Sequence, residues 1–328
     1  MASLRSINPF SRINNDTGFG SRDSYGGRFI NRDGTFNIRR EGHSFWERFS
    51  VFHSMLNLPL WKFVVVLISF FIGANVLFTL IYVLLGADQF TGMIAGTRWQ
   101  QIKEIYFFST ETFTTVGYGR VNPIGDGANL VASFEAMLGF ISFAVVTGLI
   151  YGRFAKPTSY LIFSDHAVVA PYRGGQALMF RFASYKDNHT LTDVDIRVNA
   201  AFRIQENGQE VYKFYDLALE RSKVDSLPMN WTVVHPIDEK SPLKGFSADD
   251  MKAADMEVYV LIRGFDDVFS NYVLRRTSYT HEEIRFSRKF QPMYRESEDG
   301  KTTILELQKI NEHVTVQDPP LVDKLEKP

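Results

Sequence analysis

The 328-residue chain contains no cysteine. Disulfides and thiolate metal sites are therefore excluded, and the redox compartment leaves no trace in the sequence. An excess of either charge is also missing, because 36 Lys and Arg stand against 37 Asp and Glu. Nucleic acid is accordingly not an expected partner. The N-terminal stretch is polar and Arg-rich without an apolar segment, so no cleavable signal peptide is expected. Nucleotide-binding glycine loops, metalloprotease motifs and nucleophile elbows are absent as well. The expectation is a protein that is not an enzyme and carries no cofactor. What the chain does have is aromatic side chains, 14% of residues with 29 Phe, and a mean hydropathy near zero that conceals two long apolar runs.

Residues 1–43 are rich in Gly, Asn, Ser and Arg and read as a flexible N-terminus with a short extended piece near 28–38. Segment 44–58 reads as a helix. Ser44 and Glu47 form a capping box, Phe45, Phe49, Phe52 and Leu56 share one face, and Pro59 ends it. Trp46, Trp61 and the adjoining apolar run favour a helix lying at a membrane interface. Residues 60–85 are almost wholly apolar, broken by Ser69, Gly73, Asn75 and Thr79. At ~1.5 Å per residue such a run covers the ~30 Å of a bilayer core. A second run, 127–155, is also long enough and carries one internal acid, Glu135. Two spans put both termini on one side. Arg39, Arg40, Arg48 and Lys62 before the first span, and Arg153, Lys156 and Arg173 after the second, make that side the cytoplasm. The expected location is the inner cell membrane.

From residue 159 to 311 the period changes to two. Val194, Ile196, Val198, Ala200, Phe202 and Ile204 alternate onto one face, and Asn207–Gly208 and Asp299–Gly300 mark hairpins. Many short strands with frequent turns predict an all-β sandwich of immunoglobulin-like type. Residues 312–328 have little periodicity and read as a loose tail.

Between the two spans, residues 100–119 combine a helix too short to cross a membrane with Thr115-Val116-Gly117-Tyr118-Gly119. This pentapeptide is the TVGYG sequence of potassium-channel filters. A dehydrated K⁺ needs rings of oxygen ligands, and the backbone carbonyls of Thr115, Val116, Gly117 and Tyr118 can supply them. Gly117 and Gly119 permit backbone angles that side chains forbid. One chain offers one carbonyl per layer, so the pore requires several subunits. A tight glycine turn in a soluble protein would also fit the five residues alone, but not their position between two spans.

The chain resembles the inward-rectifier potassium channel family, on its prokaryotic (KirBac) side. The residues that carry the resemblance are RFINRDGTFNI from Arg28, FAKPTSYLIFSDHAVV from Phe154, WTVVHPIDEKSPL from Trp231 and TSYTHEEI from Thr277. FEAMLG from Phe134 and LIYGRF from Leu149 look closest to the prokaryotic members. The resemblance implies a homotetramer with K⁺ as the permeant ion. It implies that Glu111 and Arg120 brace the filter, although Arg120 is offset by one from the family's Arg. Glu135 is expected to brace the pore helix. Asp193 and Glu283 match acids lining the family's cytoplasmic pore, while His235 reads as a satisfied structural histidine. Phe143, Thr147 and Tyr151 share one face of the second span. Periodicity leaves open whether that face packs on the first span or lines a pathway, and the resemblance implies a cavity and gate. Gly139 and Gly148 would let the helix bend or pack closely. With no carboxylate at Phe143, polyamine block should be weak. Arg48, Arg153 and Lys156 are the candidates for an anionic lipid headgroup, though the family's basic cluster is thinned here by Thr158, Ser159 and Tyr160. Two other classes stand beside this reading: a subunit of an active K⁺ uptake system, and a tethered β-sandwich that binds a partner.

Overall fold

The computed structural model describes residues 7–14, 28–42, 44, 50–94, 96–187, 189–206 and 209–317. The chain divides into two units, Glu41–Lys156 and the remainder on either side of it.

The first unit is helical. Leu60–Leu85 and Asp126–Phe154 are both long and apolar enough to cross a membrane. Most of their large apolar side chains are exposed, among them Leu77, Leu80, Leu84, Leu130 and Phe140, as a lipid-facing surface requires. Gly86 ends the first helix at φ +104°, with its N–H on the Tyr82 carbonyl. Between the long helices, Phe90–Thr91 pairs with Asn122–Pro123, and Arg98–Phe113 forms a 16-residue helix. That helix starts two residues earlier than the apolar pattern suggests. Its start is set by a capping box in which Thr97 and Gln100 satisfy each other's backbone amides, a polar signal outside the hydrophobic period. Tyr82, Phe90 and Phe108 pack edge to face at 5.3–5.5 Å and lock the short helix to the first long one. Ahead of them lies a short helix, Val51–Asn57, whose Ser50 side chain accepts from the His53 amide. The capping residue Glu47 and the lipid candidate Arg48 lie outside the described residues.

The second unit is all β. One sheet has Leu191–Glu206 between Glu257–Asp266 and Gln209–Asp216, with Asn271–Thr280 at one edge and Lys223–Leu227 also on the central strand. The other is built on Gly175–Ser184, flanked by Ala167–Tyr172, Leu161–Phe163 and Asn230–Ile237. Val194, Ile196, Val198, Ala200 and Phe202 all point into a core shared with Val169, Leu178, Phe180 and Phe182 of the facing sheet. Period-two burial on both sheets makes this a sandwich. His235 is buried there, bonded through Nδ1 to the Ala218 carbonyl and through Nε2 to Ser241. The loose tail needs correction at its start. His313–Thr315 is a strand paired with Arg288–Phe290, anchored beside buried Arg181, whose guanidinium donates to the carbonyls of Ile310, Gln291 and Lys309. A three-residue edge strand carries too little period to be read from sequence. Residues 318–328 lie outside the described residues.

Candidate functional site

The short helix Arg98–Phe113 delivers the chain directly into Thr115–Gly119. The backbone there alternates in handedness. Thr115, Gly117 and Gly119 take φ of +59°, +55° and +78°, while Val116 and Tyr118 do not take positive φ. Alternation of this kind turns successive peptide planes the same way, where an ordinary strand would face them oppositely. Thr115 is β-branched, and positive φ is costly for it. The amides explain what holds it. Thr115 N–H bonds the Thr112 carbonyl, and Val116 and Gly117 N–H both bond the Glu111 carbonyl at 2.9 and 3.2 Å. The donors are thus turned back onto the helix C-terminus. The carbonyls of Thr115, Val116, Gly117 and Tyr118 accept no hydrogen bond among the described residues, and the whole stretch is exposed. Four adjacent free carbonyls lie beyond the partly negative end of a helix, an arrangement that suits a cation.

The exit of this stretch is tied down separately. Asn122 Nδ2 donates to the Gly119 carbonyl at 2.7 Å, and Arg120 pairs with Glu104 near the middle of the short helix. This corrects the expected Glu111–Arg120 pair. Glu111 contributes through its backbone carbonyl, and the buried acid that meets Arg120 is one helical stretch away, where sequence offset cannot point. Glu135 is fully buried. Its Oε1 receives the Ser109 hydroxyl at 2.5 Å and its Oε2 the Tyr82 hydroxyl at 2.6 Å. Asn75 lies against the same Ser109 at 3.1 Å. Asn75 and Tyr82 come from the first long helix, Ser109 from the short one and Glu135 from the second, so one polar knot joins all three. Of these, Asn75 was visible in the sequence as a polar break in an apolar run. Ser109 and Tyr82 gave no signal, since nothing in their spacing says which faces meet.

Phe143 and Tyr151 are 73% and 74% exposed, and Thr147 is exposed beside them. Phe143 lines a cavity of about 560 Å³ together with Phe113, Thr114 and Thr115, and with Leu67, Phe70 and Phe71 of the first long helix. Gly139 is a close-packing glycine, because a Cβ there would stand 1.9 Å from the Phe113 carbonyl oxygen; Gly148 has open space. Arg153 reaches the Met55 carbonyl and covers the Phe63 ring at 5.3 Å. Lys156 donates to Asn57 Oδ1 at 2.6 Å. Both cations therefore gather at the end of the helix Val51–Asn57.

In the β unit, Asp193 is exposed at a φ of +46°. Glu283, expected at the surface of a pore, has a buried and paired carboxylate. It is 9% exposed and receives Arg28 at 2.7 Å and Arg32 at 2.5 Å. Burial alone would raise its pKa, but Arg28, the Thr280 amide and Arg32 hold it below the usual carboxylate value. Its charge is spent on the segment Arg28–Arg32, which the sequence pattern places nowhere near it.

An ion-channel family model matches residues 63–156, and a model described as the inward rectifier potassium channel C-terminal domain matches residues 161–327. The chain is 32% identical over 288 residues to inward rectifier potassium channel Kirbac3.1 of Paramagnetospirillum magnetotacticum, covering 87% of this chain and 95% of that one. The chain belongs to the inward-rectifier potassium channel family. These are membrane channels, not enzymes. The family likeness extends to the ATP-sensitive inward rectifier potassium channel 12 of Mus musculus, 30% identical over 57% of this chain and 46% of that protein. Among solved structures, the sporulation control protein Spo0M of Bacillus subtilis aligns over 38% of this chain and 47% of its own at a TM-score of 0.22 and 14% identity, too little to bear on this fold.

Proposed function

We propose that four copies of this chain form a K⁺-selective pore that conducts passively, with Thr115–Tyr118 as the filter. The observation that carries this reading is the set of four adjacent free carbonyls, with the Thr115, Val116 and Gly117 amides turned back onto the short helix. Repeated around an axis, they form stacked oxygen rings that replace the water around K⁺. The polar knot at Glu135 holds the short helix through Ser109, and the Arg120–Glu104 pair ties the filter exit to the same helix. Phe143 and Tyr151 narrow the path below the filter, and their apolar rings close it by dewetting. In this reading the two long helices span the membrane, with both termini in the cytoplasm, following the basic residues that flank them. Arg153 and Lys156 accept an anionic lipid headgroup only in exchange for their present contacts, so phosphatidylinositol bisphosphate modulates weakly or inhibits. Arg48 is the third cation of that group by sequence.

The test is flux in liposomes. Purified channel should pass K⁺ and Rb⁺ with Na⁺ largely excluded, and Ba²⁺ should block it. Gly117→Ala should abolish selectivity or conduction, since a Cβ at φ +55° strains the filter backbone. Equal K⁺ and Na⁺ permeability in the unaltered channel would refute the reading.

A further inference from the structure

The strand Leu191–Glu206 carries a bulge. Its pairing with Glu257–Asp266 runs from Arg263↔Asp195 to Phe265↔Thr192, so three steps on one strand meet two on the other. The extra residue falls at Asp193–Val194. Val194 stays fully buried, and Asp193, at φ +46°, is turned outward. Bulges of this kind re-aim a side chain.

What Asp193 meets is specific. Its Oδ2 accepts the Tyr272 hydroxyl at 2.9 Å. The Tyr272 ring is held edge-on by Phe265 at 5.5 Å, and the Arg263 guanidinium lies over that ring, 4.0 Å from its centroid. A carboxylate at the hydroxyl and a cation over the face thus share one aromatic ring. The contact over the ring also fixes where the Arg263 charge sits. Asp195, the next acid on the strand, lies 3.5 Å from Arg197 and stands opposite Lys223 on one neighbouring strand and Arg263 on the other.

We propose that Arg263, held on Tyr272, is the built-in counter-charge of Asp193 and sets this channel's low affinity for cytoplasmic polycations. The inference rests on the proposed function, in which Asp193 faces the ion path. An acid there would concentrate cations. A permanent guanidinium beside it removes most of that attraction at every physiological pH, because Arg does not release its proton. With Glu283 paired to Arg28 and Arg32, neither acid then presents an unopposed charge. The ligand class it discriminates against is the flexible polyamine, whose several charges multiply any local potential.

The experiment is spermine block of the full-length channel in planar bilayers, with spermine applied on the side of the β unit. A unit charge one side-chain length from a bound cation in water changes its occupancy by about threefold. Arg263→Gln should therefore tighten spermine block by about threefold or more, and Arg263→Glu further still. Arg263→Lys keeps the charge and should leave block weak, which separates a charge effect from a structural one. Asp193→Asn placed on Arg263→Gln should reverse the gain. Retained K⁺ over Na⁺ selectivity shows that each variant is folded. If Asp193→Asn changes block or conductance but Arg263→Gln does not, the counter-charge idea is overturned and the pathway reading stands. If none of these variants alters block while selectivity is intact, Asp193 does not face the path, and the proposal falls with its premise.

Discussion

Gly139 of the second long helix lies against Phe113 at the end of the short helix, so close that a Cβ would approach the Phe113 carbonyl oxygen to 1.9 Å. Backbone cannot yield as a flexible side-chain end does. Gly139→Ala should therefore push the two helices apart and shift the filter that begins two residues after Phe113. The expected outcome is loss of K⁺ selectivity or a destabilised assembly, at a cost of about 1–3 kcal/mol. Gly148→Ala, with open space around it, should leave selectivity unchanged. Flux ratios of the two variants decide the matter, and indistinguishable ratios would remove the close-packing argument.

The knot at Glu135 makes a second prediction. Glu135→Ala leaves the Tyr82 hydroxyl buried without its acceptor and the Ser109 hydroxyl with Asn75 alone, and the stranded group costs about 1–3 kcal/mol. Glu135→Gln keeps an acceptor in place and should retain much of the function. Tyr82→Phe removes one bond and should lie between them. Thermal melting in detergent and Na⁺ leak in liposomes should follow the same order. Glu135→Ala behaving like the unaltered channel in both would show that the knot does not position the filter.

The free stripe on the second long helix makes a third. Phe143→Asp introduces a carboxylate into the cavity that also contains Thr115 and should strengthen spermine block by about tenfold or more. Tyr151→Ala should raise open probability by widening the apolar constriction. Single-channel recording reads both. Spermine blocking the unaltered channel as tightly as Phe143→Asp would mean that Phe143 is not in the cavity.

Glu283 makes a fourth, in pH. Its folded pKa lies below the ordinary 4.5, so the unfolded chain binds the proton more tightly than the folded one. The stability it contributes is present above about 4.5 and is lost as pH falls through the lower folded value. Glu283→Gln should remove that acid-limb dependence and release the segment around Arg28 at neutral pH. Limited proteolysis near Arg28 and melting temperature between pH 3 and 6 measure the two effects. An unchanged acid limb in Glu283→Gln would assign the dependence to other carboxylates.

Much of this architecture was legible in the residues themselves. Apolar length marks the two long helices, because a bilayer core has one thickness. Strict alternation from Val194 to Phe202 marks a half-buried strand, because a pleated sheet has two faces. Thr115–Gly119 announces its chemistry, because a filter is made of backbone and its requirements are local. The tertiary structure decided which groups meet. Arg120 chose Glu104 over Glu111, Glu283 closed on Arg28 and Arg32, and Asn75, Tyr82, Ser109 and Glu135 converged from three helices. It also decided that Arg263, unremarkable in the sequence, stands over the tyrosine that holds Asp193. Periodicity reports which face of an element is buried. It carries no term for which other face lies opposite, and pairing of charge and hydrogen bond depends on that alone.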